Sequence, residues 1–238
     1  MSMANKFIIT LFVLLQSIPI FSSCQFLTRT NVGNRFDVFQ LPDSTLVQLD
    51  LGSTLTYRPF HFLEDSVRLV ELHGRAFFSV IRDTEKPFVV LIDSSVVITN
   101  RGDFNVNTFD VEDVRVDVFL GRVTLETKND EAVTSGVRSL VSQHGMIETT
   151  FDDNTAFASD WRIGVYNFFK SPPQKIISCL NKFPDLNIIE DNKPSTIKLF
   201  TICFSSYISY EEIIKKLKQS NIIKHFFLDQ GGNYHVGY

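Results

Sequence analysis

Between residues 46 and 148 the chain repeats one formula: four to six residues in which β-branched and aromatic side chains alternate with polar ones, followed by a turn. Segments 46–51, 67–72, 76–81, 88–92, 96–99, 114–119 and 122–127 all follow it. Period-two alternation sends successive side chains to opposite faces of a strand. Val67, Leu69 and Glu71 therefore share one face, and Arg68, Val70 and Leu72 the other. About ten such strands at short spacing, with no convincing helical period, predict an all-β domain. Gly52, Gly74, Gly102 and Gly121 each fall between strand-like segments, where a positive φ or a close backbone approach is the usual need.

The pattern changes after residue 160. Residues 161–169 read as a strand, and Ser171 as an N-cap with Pro172 at N1 and Gln174 closing a capping box. That start predicts a helix over 174–183, with Ile176, Ile177, Leu180 and Phe183 on one face. Pro184 ends it and a strand begins at 186–189. A second unit repeats the order: a strand over 197–204, then a capping box of Ser209 and Glu212, whose neighbours Ile208 and Ile213 hold hydrophobic-staple positions. The helix over 210–219 turns Ile213, Ile214 and Leu217 inward, and two short strands flank a turn at 229–233. The fold class expected is mainly β plus α+β, with a many-stranded β domain at 41–150 and a small βαβ-repeat domain at 161–238. Residues 24–40 and 151–160, which lack a clear apolar period, read as linkers.

Composition sharpens this division. With 238 residues, 44% hydrophobic and 21% charged, the chain has the make-up of a globular protein. Its net charge of −4 excludes a nucleic-acid binder working through bulk positive charge. The sum averages two unlike halves: residues 24–159 carry 12 Lys+Arg against 20 Asp+Glu, and residues 160–238 carry 10 against 7. The first half uses ten Arg and two Lys, the second one Arg and nine Lys, in keeping with two domains.

Residues 7–21 form an apolar run of 15 residues behind Lys6, interrupted by Gln16 and Pro19. A membrane span needs about 20 residues, so a secretory signal fits better. The run ends in Phe21, Ser22, Ser23 and Cys24, which resembles the lipobox of bacterial lipoproteins. That resemblance implies a signal peptide over 1–23, cleavage between Ser23 and Cys24, and a lipid on Cys24; the alternative is an uncleaved anchor. Both place the rest of the chain outside the cytoplasm. Such a compartment permits a disulfide between Cys179 and Cys203, although two buried thiols are favoured, and neither has Cys-x-x-Cys spacing.

Chemistry-bearing motifs are absent from the sequence: no nucleophile elbow, zinc-protease helix, phosphate loop, dinucleotide fingerprint or calcium loop occurs. His61, His73, His144, His225 and His235 show no metal spacing, and Asp152 with Asp153 reads as part of a polar linker. Lys215, Lys216 and Lys218 fall on the polar face of their helix and read as solvated. Arg101, Gly102 and Asp103 spell an adhesion tripeptide, but inside a strand-forming block. A non-enzymatic protein without cofactors is expected.

Five blocks in order, Leu41 to Tyr57, Arg68 to Val80, Lys86 to Val90, Arg101 to Val106 and Phe119 to Val123, resemble the periplasmic FecR domain. The departures are Asp43-Ser44-Thr45, where the family has Asp-Gly-Ser, and Leu120, where an acidic residue often stands. The 161–238 unit resembles the small domain that follows FecR domains in Bacteroidetes-type regulators, itself similar to the secretin/TonB short N-terminal domain. The resemblance implies a sensor in cell-surface signalling that docks the signalling domain of a TonB-dependent outer-membrane receptor, while a cytoplasmic segment holds an extracytoplasmic-function sigma factor. Here only Met1 to Lys6 precedes the apolar run, too little to grip a sigma factor. The expectation is therefore a lipid-anchored sensing module that contacts the receptor through 161–238. The alternatives are a regulator (anti-sigma factor) whose cytoplasmic segment is missing or on another chain, and a structural envelope lipoprotein. Gln25, Phe26 and Leu27 after the cysteine lack an acidic cluster, which favours a periplasm-facing orientation.

Overall fold

The computed structural model describes residues 26–238 except 34, 61, 111–112, 151–159 and 194–197. Cys24, the apolar run before it, and the proposed linker residues Asp152 and Asp153 lie outside the described residues. No helix among the described residues is long and apolar enough to cross a membrane.

Among the described residues the β domain has thirteen strands: β1 (Leu27–Thr30), β2 (Asp37–Gln40), β3 (Leu46–Leu49), β4 (Thr54–Tyr57), β5 (Arg68–His73), β6 (Arg75–Val80), β7 (Phe88–Ile92), β8 (Ser95–Thr99), β9 (Gly102–Asp110), β10 (Asp113–Glu126), β11 (Glu131–Ser135), β12 (Arg138–Gln143) and β13 (Met146–Thr150). Their order is β1-β4-β5-β7-β8-β10-β9-β6-β3-β2, with β11 and β12 on β10 and β13 on β12. Neighbours are antiparallel except β5 and β7, which run parallel. The two halves of this path face each other across one core, which joins Val70, Phe88 and Leu125 from one half to Val47, Phe78 and Val106 from the other. Phe78 stacks on Phe104 with ring centroids 5.4 Å apart, a geometry that adds to their burial. β1 and β2, which end the path, fall in the region expected to be a linker.

β10 is where one half becomes the other. The sequence pattern predicts strands at 114–119 and 122–127 parted by a turn at Gly121; the structure instead has one strand of 14 residues. Its pairing with β9 slips between Val118 and Leu120 and then sets Gly121 opposite Gly102. A Cβ on Gly121, at φ +91°, would stand 2.3 Å from the Arg101 carbonyl oxygen, and one on Gly102 2.6 Å from that of Leu120. Both glycines thus serve a close crossing of two backbones. Gly52 and Gly74 stand where expected, between β3 and β4 and between β5 and β6.

The C-terminal domain opens with a 3-10 turn (Asp160–Ile163), followed by β14 (Val165–Ser171), helix α1 (Pro173–Leu180), β15 (Ile188–Glu190), β16 (Phe200–Ser205), helix α2 (Tyr210–Gln219), β17 (His225–Leu228) and β18 (Tyr234–Gly237). The chain order is β-α-β twice, but the strands flanking each helix lie in different sheets: β14 pairs with β16, while β18 stands between β15 and β17. α2 forms as the sequence predicts. The Ser209 hydroxyl accepts the Glu212 N–H, the Glu212 carboxylate accepts the Ser209 N–H, and Ile213, Ile214 and Leu217 are buried. Lys215 and Lys218 are exposed, with Lys215 paired to Glu211 one turn back at 2.6 Å.

α1 departs from expectation at both ends. It begins at Pro173, its N-cap is Pro172, and no side chain caps it. Ser171 is committed to the strand instead, paired with Phe200, and its hydroxyl donates to the Phe169 carbonyl. The helix stops at Leu180, although Phe183 still reaches the core. Trp161, expected in a strand, lies in the 3-10 turn. No disulfide joins Cys179 and Cys203. Both were expected buried, yet Cys203 falls on the outward alternation of β16 and is exposed, and Cys179 is half-buried.

Candidate functional site

The two domains meet at a socket on the outer side of β3, β6 and β9. Buried residues of the C-terminal core include Leu51 and Phe77 from the β domain, packed with Trp161, Tyr166 and Phe183. Phe77 breaks the alternation of β6. Ala76, Phe77 and Phe78 are buried in succession, which a strand allows only when both of its faces are covered. Leu51 belongs to the turn after β3 and does the same work from the side. At Gly52, φ is +66° and an added Cβ would lie 3.3 Å from Cβ of Lys182, so this turn glycine also abuts the second domain.

Polar contacts give the joint its direction. Asp50 is buried and accepts the Arg75 guanidinium through Nε at 2.8 Å and the Tyr166 hydroxyl at 3.0 Å. Arg75 also lies 5.1 Å from the Trp161 ring centroid and 5.6 Å from that of Tyr166. Burial lowers the Arg75 pKa, but the Asp50 carboxylate together with Cys179 and Tyr166 offsets it and the value is raised. Tyr166 is pushed far up, first by burial and then by Asp50, so it stays a neutral donor. Beside this group, the Trp161 indole N–H donates to Asn105 Oδ1 at 3.1 Å. The Asn105 amide donates to Asp117, which also accepts Arg115 at 2.7 Å and the Ser139 hydroxyl at 2.7 Å. Arg162 adds a bond to Gln48 and lies 3.7 Å from the Phe77 ring centroid. Every buried polar group named here has a partner across or beside the joint, which is what makes a buried polar interface specific.

Next to the socket runs a crevice of about 700 Å³. One wall is the outer face of β9 and β10, with Asn105, Asn107, Phe109, Arg115 and Asp117; the other is β14, with α1 residues including Lys175 and Cys179 at one side. Cys203 also reaches it. Among the described residues no group of three or more His, Cys, Asp or Glu side chains is placed to hold a metal ion. Asn105, Asn107 and Arg115 beside Phe109 and Phe169 give the crevice a mixed polar and apolar binding surface. The Arg101-Gly102-Asp103 tripeptide sits at the start of β9, with the Asp103 carboxylate taking the Ser79 hydroxyl at 2.7 Å.

Of the residues singled out from sequence, Gly52 lies at the socket and Cys179 and Cys203 line the crevice, whereas Gly74, Gly102 and Gly121 shape the β domain. Asp50, Arg75, Asn105, Trp161 and Tyr166 escaped notice. Two signals pointed to them: the apolar run at Ala76 to Phe78, too apolar for a half-exposed strand, and charged residues held within strand blocks.

Residues 27–124 match the FecR protein family. The match falls on the β domain and takes in Asp50, Arg75 and Asn105. No curated protein matches the chain. Among solved structures, two crystal structures from Parabacteroides distasonis ATCC 8503, each described as a "putative anti-sigma factor", share the fold. One has a TM-score of 0.76 at 24% identity over 90% of this chain and 99% of that one. The other has a TM-score of 0.76 at 23% identity over 88% and 98%. Overlap of that extent reaches well beyond residue 124, so the shared fold includes part of the C-terminal domain.

Proposed function

We propose that this protein is a non-enzymatic regulator in sigma factor signalling at the cell envelope, in which the C-terminal domain receives a partner and the β domain responds through the joint. The FecR match over 27–124 supports the regulatory role, and so does the shared fold with proteins described as anti-sigma factors. The observation that carries the reading is the socket: FecR-matched residues Asp50, Arg75 and Asn105 hold Tyr166 and Trp161, so force or order imposed on one domain is felt by the other. In the finer form of this proposal the partner is the signalling domain of a TonB-dependent outer-membrane receptor, bound through residues 161–238. A lipid on Cys24 would hold the protein in the envelope.

Co-purification from crosslinked envelopes tests the docking. A TonB-dependent receptor is expected with the full chain and is lost when residues 161–238 are deleted; recovery with the deletion would contradict docking through this domain. A sigma-dependent reporter tests the regulation, with a change of several-fold expected on deleting the gene and none expected if the protein is only structural. A palmitate analogue should label the protein and fail to label Cys24→Ala.

A further inference from the structure

We infer that the end of the β domain around Phe26, Phe60 and Leu63 is a lipid-facing surface, which rests on the bilayer that holds the N-terminal anchor and leaves the joint between the domains clear of it. This deepens the proposed envelope role and rests on the reading of Cys24 as an anchoring point.

The loop of residues 58–67, between β4 and β5, is fastened by one side chain and presents two others. Phe62 is buried, edge-on to Tyr57 at 5.9 Å and to Phe88 at 6.3 Å between ring centroids. On either side of it, Phe60 is 69% exposed and Leu63 is 52% exposed. The Leu63 carbonyl accepts the Lys86 ammonium, and Arg58 lies 3.8 Å from Asp65 near the base of the loop, so both apolar side chains are held out on a tied loop. Beside them stands β1, at one end of the sheet path. Its Leu27 pairs with Tyr57, and Phe26, 62% exposed, has its ring centroid 5.9 Å from the Arg58 guanidinium. Ile81, also exposed, offers its carbonyl to Arg68 at the start of β5. Exposed apolar side chains scattered singly need no explanation, but five gathered at one end of a domain mark an interaction site.

The occupant follows from where the chain leads. Phe26 comes two residues after Cys24 and five after the apolar run ends at Phe21, separations that an extended chain spans in about 7 Å and about 18 Å. Whether a lipid on Cys24 or the run itself sits in the bilayer, the exposed side chains are within reach of its surface. Phe and Leu side chains are of the kind that enter the boundary between headgroups and acyl chains. Residues 58–67 and 81–87 carry Arg58, Arg82 and Lys86 against Glu64, Asp65, Asp83 and Glu85, so no positive surplus draws anionic headgroups and apolar contact supplies the attraction. The joint lies at the other end of the same strands. β5 runs from Arg68 at this end to His73, roughly 20 Å away, beside Gly74 and the Arg75–Asp50 pair of the socket. A bilayer against Phe60 therefore leaves the socket at the far end, away from the membrane.

The test uses the full chain in its own cells, with photoreactive benzoylphenylalanine at Phe60 or, for comparison, at Phe227, another exposed aromatic but on β17. Irradiation should give a phospholipid adduct from position 60, identified by mass spectrometry, at least tenfold over that from 227. Phe26→Ser combined with Leu63→Ser should cut it at least fivefold; both side chains are exposed, and Trp161 fluorescence checks that the variant folds. Equal lipid adducts from the two positions, an adduct from 60 with protein alone, or one indifferent to the double substitution would overturn the surface. If the double variant misfolds, the contrast between 60 and 227 in the otherwise wild-type chain decides. Labelling of Cys24 with a palmitate analogue reads the anchor separately. Label without a phospholipid adduct from 60 overturns the surface and leaves the lipid standing. An adduct without label leaves the surface standing, with the apolar run as its anchor, and overturns the lipid. Absence of both signals overturns both.

Discussion

Asp43 with Arg68 and Asp50 with Arg75 are ion pairs of the same span, 25 residues, set on either side of β3. All four side chains are largely withdrawn from water. The first pair is closed within the β domain: Arg68 bonds Asp43 at 2.7 Å and the carbonyls of Ile81 and Lys86, each at 2.9 Å. The second is open to the neighbouring domain, for Asp50 keeps a lone pair for Tyr166 and Arg75 lies over Trp161. The same chemistry thus serves as a staple in one place and a socket in the other, and only the residues arriving from outside distinguish them. A buried pair is weak evidence for stability in itself, since desolvation offsets much of the attraction, but removing one member strands a charge.

Substitutions can therefore separate the two roles. The largest effect is expected from Asp43→Ala, which leaves the Arg68 guanidinium buried without its carboxylate; a loss of about 3–5 kcal/mol in urea unfolding of the full chain is the expected outcome. Trp161→Ala should cost about 3 kcal/mol through lost packing at the joint, read as a lowered midpoint in the urea unfolding of the full chain. Trp161 is the chain's single tryptophan, so its fluorescence reports the joint directly. Tyr166→Phe removes one hydrogen bond to a charged group, worth about 1.5–3 kcal/mol. If Asp43→Ala and Tyr166→Phe perturb Trp161 fluorescence equally, the distinction between staple and socket fails.

The smallest effect lies away from both pairs. His235 bonds Asp191 at 2.8 Å, faces Asp229 at 3.4 Å and stacks on Phe227. Its pKa is raised, first by the Asp191 bond and then by Asp229 against some desolvation. A raised folded pKa means that the contribution is complete below the unfolded value of about 6.5 and is lost as pH rises through the folded one. An NMR titration should find His235 above the free-histidine value and Asp191→Asn should bring it down. Trp161 fluorescence should stay constant through the same interval, because Arg75 and Tyr166 do not titrate there.

Much of the scaffold was legible in the sequence because it rests on local chemistry. The capping box of Ser209 and Glu212 is decided within four residues, and the inward Ile213, Ile214 and Leu217 follow from helical period alone. The alternation around Val70 and Leu72 located β5 and even put Arg68 on their face, though not its buried partner. Long-range facts were another matter. Gly121 looks like a turn until Gly102 is found opposite it, and Ser171 looks like a cap until Phe200 claims it as a strand partner. The socket was illegible for the same reason: Asp50 and Tyr166 are 116 residues apart, and only the folded chain brings them together.

Calorimetry on the full chain tests most directly whether the socket makes the two domains one body. A single cooperative transition is predicted for the wild type, and it should part into two when Trp161→Ala and Tyr166→Phe are combined. Two resolved transitions already in the wild-type chain, unmoved by the double substitution, would contradict it.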